Sequence, residues 1–304
     1  MVYLEYNILG NNKKIKIDSI DYDYNSDKID NVIKHDASHY EYIVGPKQQK
    51  TFKKLLKILK LWNEIANEHG IEYWACAGTL LGAVRHSGFI PWDNDIDISI
   101  MLSDLKKVKM ILEQHPVLTF CESELGLQVR YRDIDFPFMD IFLCDYCDIN
   151  TIKYCGFLSK HGEPTWFMDF YFPNEYIYKN ELYPLKRINF ENTTIMVPNI
   201  QINTLFRTYS SRCLTACKII NHTDVHEVCS KNLMQVRYYY MKKIYELERK
   251  LNIPQKRMFT LLQYKLSKKI EKKINKNNKK DKIFNDLFYK TVNKLNYILN
   301  VYNN

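Results

Sequence analysis

Residues 71–100, IEYWACAGTLLGAVRHSGFIPWDNDIDISI, are the stretch that decides the fold of this chain. The run 71–77 is apolar and aromatic, which is typical of a buried strand. Gly78 and Thr79 break that strand, and we expect a helix to begin there with Thr79 as its N-cap. Gly88 fits the C′ position just beyond the end of this helix. The stretch therefore predicts a strand, a short helix and a second strand.

Carboxylates follow the predicted helix at alternate positions: Asp93, Asp95 and Asp97. Side chains two apart on a strand share a face, so we expect Asp95 and Asp97 to point the same way, with Asp93 at the strand's start. Such carboxylates repel each other unless a cation lies between them, and hard oxygen ligands favour Mg²⁺ or Mn²⁺ over zinc. A helix N-terminus at Gly78-Thr79 adds a phosphate site. Together these features indicate metal-assisted phosphoryl transfer, although a bare Asp-x-Asp usually marks a solvated turn.

A further acid, Asp140, interrupts the apolar run 136–143, FPFMDIFL. An isolated carboxylate among Phe, Met and Ile is costly unless it is paired or bound to a metal. Either Asp140 completes the metal site and takes or orients the proton of an attacking hydroxyl, or it is a structural residue paired with Arg130 or Arg132. Gln128, two residues before Arg130, either faces the site or lies in a polar groove.

The segment 77–97, AGTLLGAVRHSGFIPWDNDID, resembles the signature of the LicD/fukutin family. The resemblance covers roughly residues 50–212. It implies an α/β (α+β) fold, with a nucleotidyltransferase-like core of a small mixed sheet flanked by helices. Asp140 matches the family's Asp-Ile-Phe element, which supplies a third carboxylate from a strand beside the Asp-x-Asp strand.

The resemblance also implies roles for individual residues. The expected metal ligands are four carboxylates: Asp93, Asp95, Asp97 and Asp140. The last three are the expected catalytic residues. Gly78, Thr79 and Arg85 are expected to bind the phosphates of the donor, because a planar guanidinium suits two oxygens. For His86 a hydrogen bond at the helix end is favoured over a role as an acid.

Three functions are consistent with these residues. The favoured one is a metal-dependent phosphotransferase, which uses Mg²⁺ or Mn²⁺ and moves a substituted phosphate from a CDP-alcohol, such as CDP-choline or CDP-ribitol, to a glycan or glycoconjugate hydroxyl. A second is a nucleotidyltransferase that deposits NMP on a small molecule or RNA. A third is a non-catalytic glycan- or nucleotide-binding protein. The intact acids and the Gly-Thr element argue against the third.

Composition and periodicity divide the chain into three parts. Residues 1–45 form an accessory segment. Its two β-like runs, 1–8 and 14–20, flank Gly10-Asn-Asn and predict a hairpin, and a polar loop follows over 21–39. Residues 46–222 form the catalytic domain, which opens with an amphipathic helix over 48–69. Residues 223–304 form a basic, helical C-terminal appendage.

The net charge of +9 is concentrated in that appendage. Residues 231–304 hold 19 Lys and Arg against 5 Asp and Glu. This excess favours an anionic substrate or partner, and nucleic acid is not excluded although no nucleic-acid motif is present. The N-terminus carries no signal-peptide pattern and no apolar run approaches about 18 residues, so we expect a cytoplasmic protein. The oligomeric state is not determined by the sequence.

Three other features allow two interpretations each. Two groups of cysteines have partial zinc-ligand spacing, and each is otherwise a set of reduced thiols: Cys144, Cys147 and Cys155, and Cys213, Cys217 and Cys229. The aromatic residues of 151–182 suit either a core or a sugar or choline site. Lys186 and Arg187 either hold donor phosphate or are surface charges.

Overall fold

The computed structural model of this protein describes residues 2–22, 31–123, 126–155 and 174–219. The predicted basic appendage, Cys229 and the middle of the aromatic-rich segment lie outside these residues.

Fifteen strands and five α-helices make up the described chain. The strands are β1 Val2–Ile8, β2 Asn11–Ile17, β3 Ser19–Tyr22, β4 Val32–Lys34, β5 His39–Tyr42, β6 Tyr73–Ala75, β7 Ile96–Met101, β8 Leu118–Ser123, β9 Gly126–Tyr131, β10 Met139–Tyr146, β11 Thr151–Tyr154, β12 Tyr176–Tyr178, β13 Lys186–Phe190, β14 Thr193–Val197 and β15 Ala216–Ile219. The helices are α1 Pro46–His69, α2 Ala77–His86, α3 Leu105–Gln114, α4 Lys179–Leu182 and α5 Gln201–Tyr209. The predicted mixed α/β fold is confirmed.

The central sheet places the predicted acids next to each other. Its strand order is β12-β11-β10-β7-β6, and β9 pairs with β10 and with β8. β7 and β10 are parallel, and their register sets Asp97 opposite Asp140. β6 and β9 run antiparallel to these neighbours. The expectation that Asp140 lies on a strand beside the Asp-x-Asp strand is therefore confirmed.

Helix α1 covers one side of this sheet. It begins at Pro46, two residues earlier than predicted, because proline is well suited to the first turn of a helix. It ends at Gly70, whose φ of 60° is left-handed. Its buried face includes Phe52, Leu59 and Trp62, which the amphipathic pattern predicted. Asn63 also lies on this helix, and its side-chain amide donates to the Thr194 carbonyl of β14 at 2.8 Å.

Helix α2 differs from the prediction at both ends. It begins at Ala77, and Cys76 rather than Thr79 is the N-cap. The Thr79 hydroxyl instead accepts the backbone N–H of Asp97 at 2.8 Å, because this donor at the start of β7 needs an acceptor. At the C-terminus Ser87, with φ 52°, takes the left-handed conformation expected of Gly88. Gly88 is required for a different reason, which is space: a Cβ there would lie 2.0 Å from an oxygen of Glu191.

The N-terminal strands pack on the core that α1 and the central sheet form. The predicted hairpin is confirmed as β1 and β2, but the predicted loop over 21–39 is partly wrong, because Val32–Lys34 pairs with β5. Leu4 and Ile8 belong to the same buried cluster as the residues of α1 and β7. Lys13 forms an ion pair with Glu191 at 2.6 Å. The hydrophobic core is therefore continuous across the predicted boundary at residue 45, and that boundary stays a prediction.

A buried ion pair joins α4 to α5. The Glu181 carboxylate accepts from both terminal nitrogens of Arg207, at 3.0 and 2.6 Å, and from the side-chain amide of Asn203 at 2.8 Å. The Arg207 guanidinium also lies 4.6 Å from the centre of the Tyr176 ring. Removing the charge of one partner leaves the other buried without full compensation.

We predict that Glu181→Gln lowers the free energy of unfolding by about 3 kcal/mol. The matched control is Glu122→Gln, because Glu122 pairs with Lys109 on the surface, where such pairs contribute less than about 1 kcal/mol. Urea unfolding of both variants and the unchanged protein measures the difference. Equal losses in the two variants would contradict the prediction.

His86, at the end of α2, gives a pH dependence of stability. Arg85 Nε donates to His86 Nε2 at 2.9 Å, so in the neutral ring Nδ1 carries the proton and donates to the Tyr6 hydroxyl at 2.7 Å. Burial, followed by the charges of Arg85 and Lys13, holds the pKa of His86 well below 6.5. The predicted helix-end hydrogen bond is thus confirmed.

We predict that His86 makes the protein less stable as the pH falls below about 6.5, because the unfolded chain then binds a proton there and the native protein does not. Between pH 7.5 and 5.5 the free energy of unfolding should fall by about 1 kcal/mol more in the unchanged protein than in His86→Gln. Urea unfolding at both pH values measures this difference. Parallel pH profiles of the two proteins would argue against it.

Candidate active site

Three carboxylates from two adjacent strands converge at one end of the central sheet. Ligand oxygens of Asp95, Asp97 and Asp140 all lie within 4.8 Å of one another. Asp97 is the second residue of β7, Asp140 is the second residue of β10, and Asp95 directly precedes β7. In the described parts of the chain they are the one group of three or more acidic, His or Cys side chains close enough to share a metal ion.

The expected positions of Asp93 and Asp95 on the strand are wrong, because β7 begins only at Ile96. The backbone N–H of Asp93 binds the Ile90 carbonyl in a turn that precedes the strand. The carboxyl group of Asp93 is hydrogen-bonded to that of Asp95. Asp93 does not belong to the cluster of Asp95, Asp97 and Asp140. The structure thus places Asp93 beside the predicted metal site, and its role as a ligand stays a prediction.

Burial and mutual repulsion destabilise the ionised forms of these acids and so raise their pKa values. Burial is the largest cause that raises the pKa of Asp97 well above its usual range, and the charges of Asp95, Asp93 and Asp140 add to it. The pKa of Asp93 is raised by burial and by Asp95. Burial raises the pKa of Asp140 to about 6, against a hydrogen bond from Gln128 that lowers it. A divalent cation among these groups would relieve the repulsion.

The environment of Asp140 separates its two interpretations. Arg130 pairs with Asp135 at 3.2 Å, and Arg132 donates to backbone carbonyls at the end of α3, so the structural pairing of Asp140 with either arginine is wrong. Gln128 faces the site rather than a separate groove, because its side chain is hydrogen-bonded to Asp140. Asp140 Oδ1 is buried without a hydrogen-bond partner in the described chain. An unpartnered buried carboxylate oxygen beside two further carboxylates fits a bound cation.

The N-terminus of α2 lies beside the acids. Its first N–H groups, those of Ala77, Gly78 and Thr79, have no acceptor within the helix, and the Leu80 N–H binds the Cys76 carbonyl. Gly78 permits a close approach, because a Cβ at this position would lie 2.5 Å from Asp93 Oδ2. Thr79 is buried, with its hydroxyl occupied by Asp97, so it offers an anion only its backbone N–H.

These elements open into a cavity of about 460 Å³, a volume typical of small-molecule sites. Its lining combines acids, cations and apolar side chains: Asp21, Ala77, Gly78, Leu81, Arg85, Ile90, Trp92, Asp93, Asp95, Asp97, Tyr209, Ser210, Arg212, Cys213, Ala216 and Lys218. The sequence analysis assigned no role to Asp21 or to the lining residues from 209 onward, apart from Cys213, which it named only as a possible zinc ligand. No local pattern distinguishes them, since they reach the acids only through the tertiary fold.

Arg85 lines the cavity, but much of its hydrogen-bonding capacity is already used. Its NH1 donates to the carbonyls of Cys213 and Ala216 at 2.7 and 2.9 Å, and its Nε donates to His86. These partners are neutral, so the positive charge of Arg85 remains at the cavity. Its predicted contact with donor phosphates stays a prediction.

Of the remaining candidates, Cys213 lines the cavity, and the other described ones lie away from its lining. Lys186 donates to the Asn199 carbonyl, and Arg187 donates to Thr194 and Asn67. Cys144, Cys147 and Cys155 form no group with metal-ligand distances among the described residues, and the second cysteine group includes Cys229, which lies outside them. Tyr154 and Phe142 stack within a core cluster, which agrees with the core interpretation for this part of the aromatic-rich segment. Within the part of the chain that the structure describes, no helix has the length and apolarity needed to cross a membrane.

Comparisons with known proteins agree with this geometry. A family model described as LicD/FKTN/FKRP, nucleotidyltransferase domain, matches residues 70–200, which contain α2 and all the clustered acids. An uncharacterized protein of Rickettsia typhi is 32% identical over 161 residues, which are 53% of this chain and 47% of that protein.

Two relatives with named activities match shorter segments. The lipopolysaccharide cholinephosphotransferase LicD of Haemophilus influenzae is 49% identical over 43 residues, 14% of this chain and 16% of the relative. The human ribitol 5-phosphate transferase FKRP is 53% identical over 36 residues, 12% of this chain and 7% of the relative. The chain thus spans about half the length of the Rickettsia protein and far less of the two transferases. Residues 70–200 of this chain match the nucleotidyltransferase domain of the LicD/FKTN/FKRP model, and these relatives support the resemblance to the LicD/fukutin family.

Proposed function

We propose that this protein is a metal-dependent phosphotransferase, which moves a substituted phosphate such as phosphocholine or ribitol phosphate from a CDP-activated donor to a hydroxyl of a glycan or glycoconjugate. The observation that carries the proposal is the convergence of Asp95, Asp97 and Asp140 within 4.8 Å in a LicD-type domain. The similar proteins that are named for an activity are transferases of this kind.

The three carboxylates supply the ligands that Mg²⁺ or Mn²⁺ prefers, and Asp93 is the proposed fourth. Bound there, a divalent ion would neutralise charge on the diphosphate of the donor. The carboxylates hold this position because β7 and β10 fix Asp97 opposite Asp140 and the Thr79 hydroxyl fixes the backbone at Asp97.

The N-terminus of α2 is the proposed phosphate site. The N–H groups of Ala77, Gly78 and Thr79 have no acceptor within the helix, and the helix dipole favours a negative charge at this end. Gly78 lines the cavity directly, next to Asp93. A phosphate held here would lie beside the acids.

Asp140 is the proposed acceptor, or orienting group, for the proton of the attacking hydroxyl. Its Oδ1 has no hydrogen-bond partner among the described residues, whereas its carboxyl group is held in place by Gln128. A base must lie within hydrogen-bond reach of the proton that it takes, and a carboxylate oxygen without a partner in the described chain is free to accept one from a hydroxyl bound beside it.

The second candidate function is nucleotidyl transfer to a small molecule or RNA, which the name of the family domain keeps open. The two reactions differ in their products, because a CDP-alcohol releases CMP whereas an NTP releases pyrophosphate. A binding protein without turnover releases neither.

Removing single carboxylates tests the proposal. We predict that Asp97→Asn and Asp140→Asn each lower the rate of CMP release from a CDP-alcohol at least about 100-fold, because each removes charge that stabilises the transition state. The assay incubates the full chain with Mg²⁺ or Mn²⁺, glycan acceptors and a panel of CDP-alcohols, CTP and ATP, and quantifies the nucleotide products. Asp135→Asn is the matched control, because that carboxylate pairs with Arg130 and is 93% exposed.

Each result of this assay has a distinct meaning. CMP released by the unchanged protein and by Asp135→Asn, but not by the two other variants, supports the proposal. Pyrophosphate from CTP or ATP would replace it with nucleotidyl transfer. CMP release that survives both substitutions would exclude these carboxylates from the reaction.

Gly78 gives a test that does not depend on turnover. In Gly78→Ala the new methyl group would displace the carboxyl of Asp93, which bonds to Asp95, so we predict about 10-fold weaker Mn²⁺ binding. Calorimetric titration with Mn²⁺ measures the affinity. Gly45→Ala is the control, because a Cβ at Gly45 meets no atom within 4 Å. Equal Mn²⁺ affinity in the two variants would count against the predicted metal site.

A further inference from the structure

Cationic side chains line the same cavity as Asp93, Asp95 and Asp97. Arg85, Arg212 and Lys218 are among its lining residues, and we call them the basic wall. Arg212 and Lys218 follow α5 and lie outside the family domain of residues 70–200. The proposed reaction assigns them no role, and the sequence analysis did not single them out.

The segment that carries Arg212 and Lys218 is fixed in three ways. Arg85 NH1 holds the carbonyls of Cys213 and Ala216. The N–H of Asp18 donates to the Thr215 carbonyl at 2.5 Å. Strand β15 then pairs in parallel with β3 of the N-terminal segment. These contacts hold the segment at the cavity before any ligand arrives, which lowers the entropic cost of binding.

The alternation of β15 explains why Lys218 faces the cavity. Ala216 and Lys218 are two residues apart and both line it, whereas Cys217 and Ile219 are buried on the other face. Asp21 is opposite Lys218 in the strand register and lines the cavity too. Lys218 is therefore a cationic group next to a carboxylate, at the edge of the same cavity as Asp95 and Asp97.

The charge of Arg212 is available at the cavity. Its NH2 donates to the hydroxyl of Ser19 at 3.2 Å, a neutral partner that orients the guanidinium without neutralising it. The side chain is exposed. A guanidinium fixed through one nitrogen still offers its other N–H groups to two oxygens of one phosphate.

We propose that Arg212 and Lys218 bind a phosphate group of the substrate, and that this group belongs to the diphosphate of the nucleotide-activated donor. The inference rests on the proposed function for the identity of the donor. A divalent ion shared with three carboxylates leaves much of the negative charge of a diphosphate uncompensated, and the basic wall supplies positive charge in the same cavity. Arg85 is a positioning residue for this site, because it holds the backbone between Arg212 and Lys218.

The test is equilibrium binding to the full chain in the presence of Mn²⁺, with CDP, cytidine and inorganic phosphate as probes. We expect Arg212→Gln and Lys218→Gln each to weaken CDP binding about 10-fold and to leave cytidine binding unchanged. Arg212→Lys keeps the charge and should recover part of the loss. Lys14→Gln is the control, because Lys14 loses the same charge on the hairpin surface, where it pairs with Glu5. Circular dichroism of each variant checks that the fold is retained.

The probes separate the sources of the phosphate. If the variants keep their CDP affinity but lose inorganic phosphate bound alongside saturating CDP, the basic wall binds a phosphate of the acceptor, and the assignment to the donor is overturned. If CDP and phosphate bind all variants as they bind the unchanged protein, the basic wall is not a phosphate site. Binding is measured without turnover, so an absence of CMP release would refute the proposed reaction and leave this result intact.

Discussion

The site depends on one electrostatic constraint, which is the enclosure of several carboxyl groups in a small volume at the end of a buried sheet. Burial and mutual repulsion both raise the pKa of Asp97, and burial raises that of Asp140 to about 6. Without a cation, such a cluster stays protonated in part or destabilises the fold. The parallel register of β7 and β10 maintains the cluster, since it sets Asp97 opposite Asp140 whatever the energetic cost. The proposed metal ion would convert that cost into binding energy.

Helix α2 connects the acids to a site for an anion. Its N-terminus faces the cavity through Gly78, and its Thr79 hydroxyl binds the first part of β7 through the Asp97 N–H. The Thr79 hydroxyl and the backbone hydrogen bond from the Cys76 N–H to the Asp97 carbonyl together hold the helix against the acidic strand. Position 78 needs a glycine, because the Asp93 carboxylate occupies the space where a Cβ would lie. The proposed phosphate site and the proposed metal site are therefore built from neighbouring residues of the 71–100 stretch.

The remaining walls of the cavity come from segments distant in sequence. β3 of the N-terminal segment pairs with β15, and Arg85 on α2 binds the backbone carbonyls of Cys213 and Ala216. Asp21 and Lys218 reach the cavity only through that pairing. The predicted accessory segment thus contributes to the candidate site, as does a stretch that follows the family domain. Variation in these two segments could change the ligand without altering the acids.

The sequence by itself determined the local features of this protein. The alternation of Asp95 and Asp97, the apolar periodicity of α1 and the short helix after the first buried strand are properties of neighbouring residues, and the fold has all three. The sequence also marked Asp140 as costly to bury, but it left open a pairing with Arg130 or Arg132. Only the tertiary structure decided that question. It also decided that Cys76 rather than Thr79 is the N-cap of α2, and where the basic wall lies. The physical reason is that periodicity and capping act within a few residues, whereas the partner of a buried charge depends on which distant surfaces the folded chain brings together.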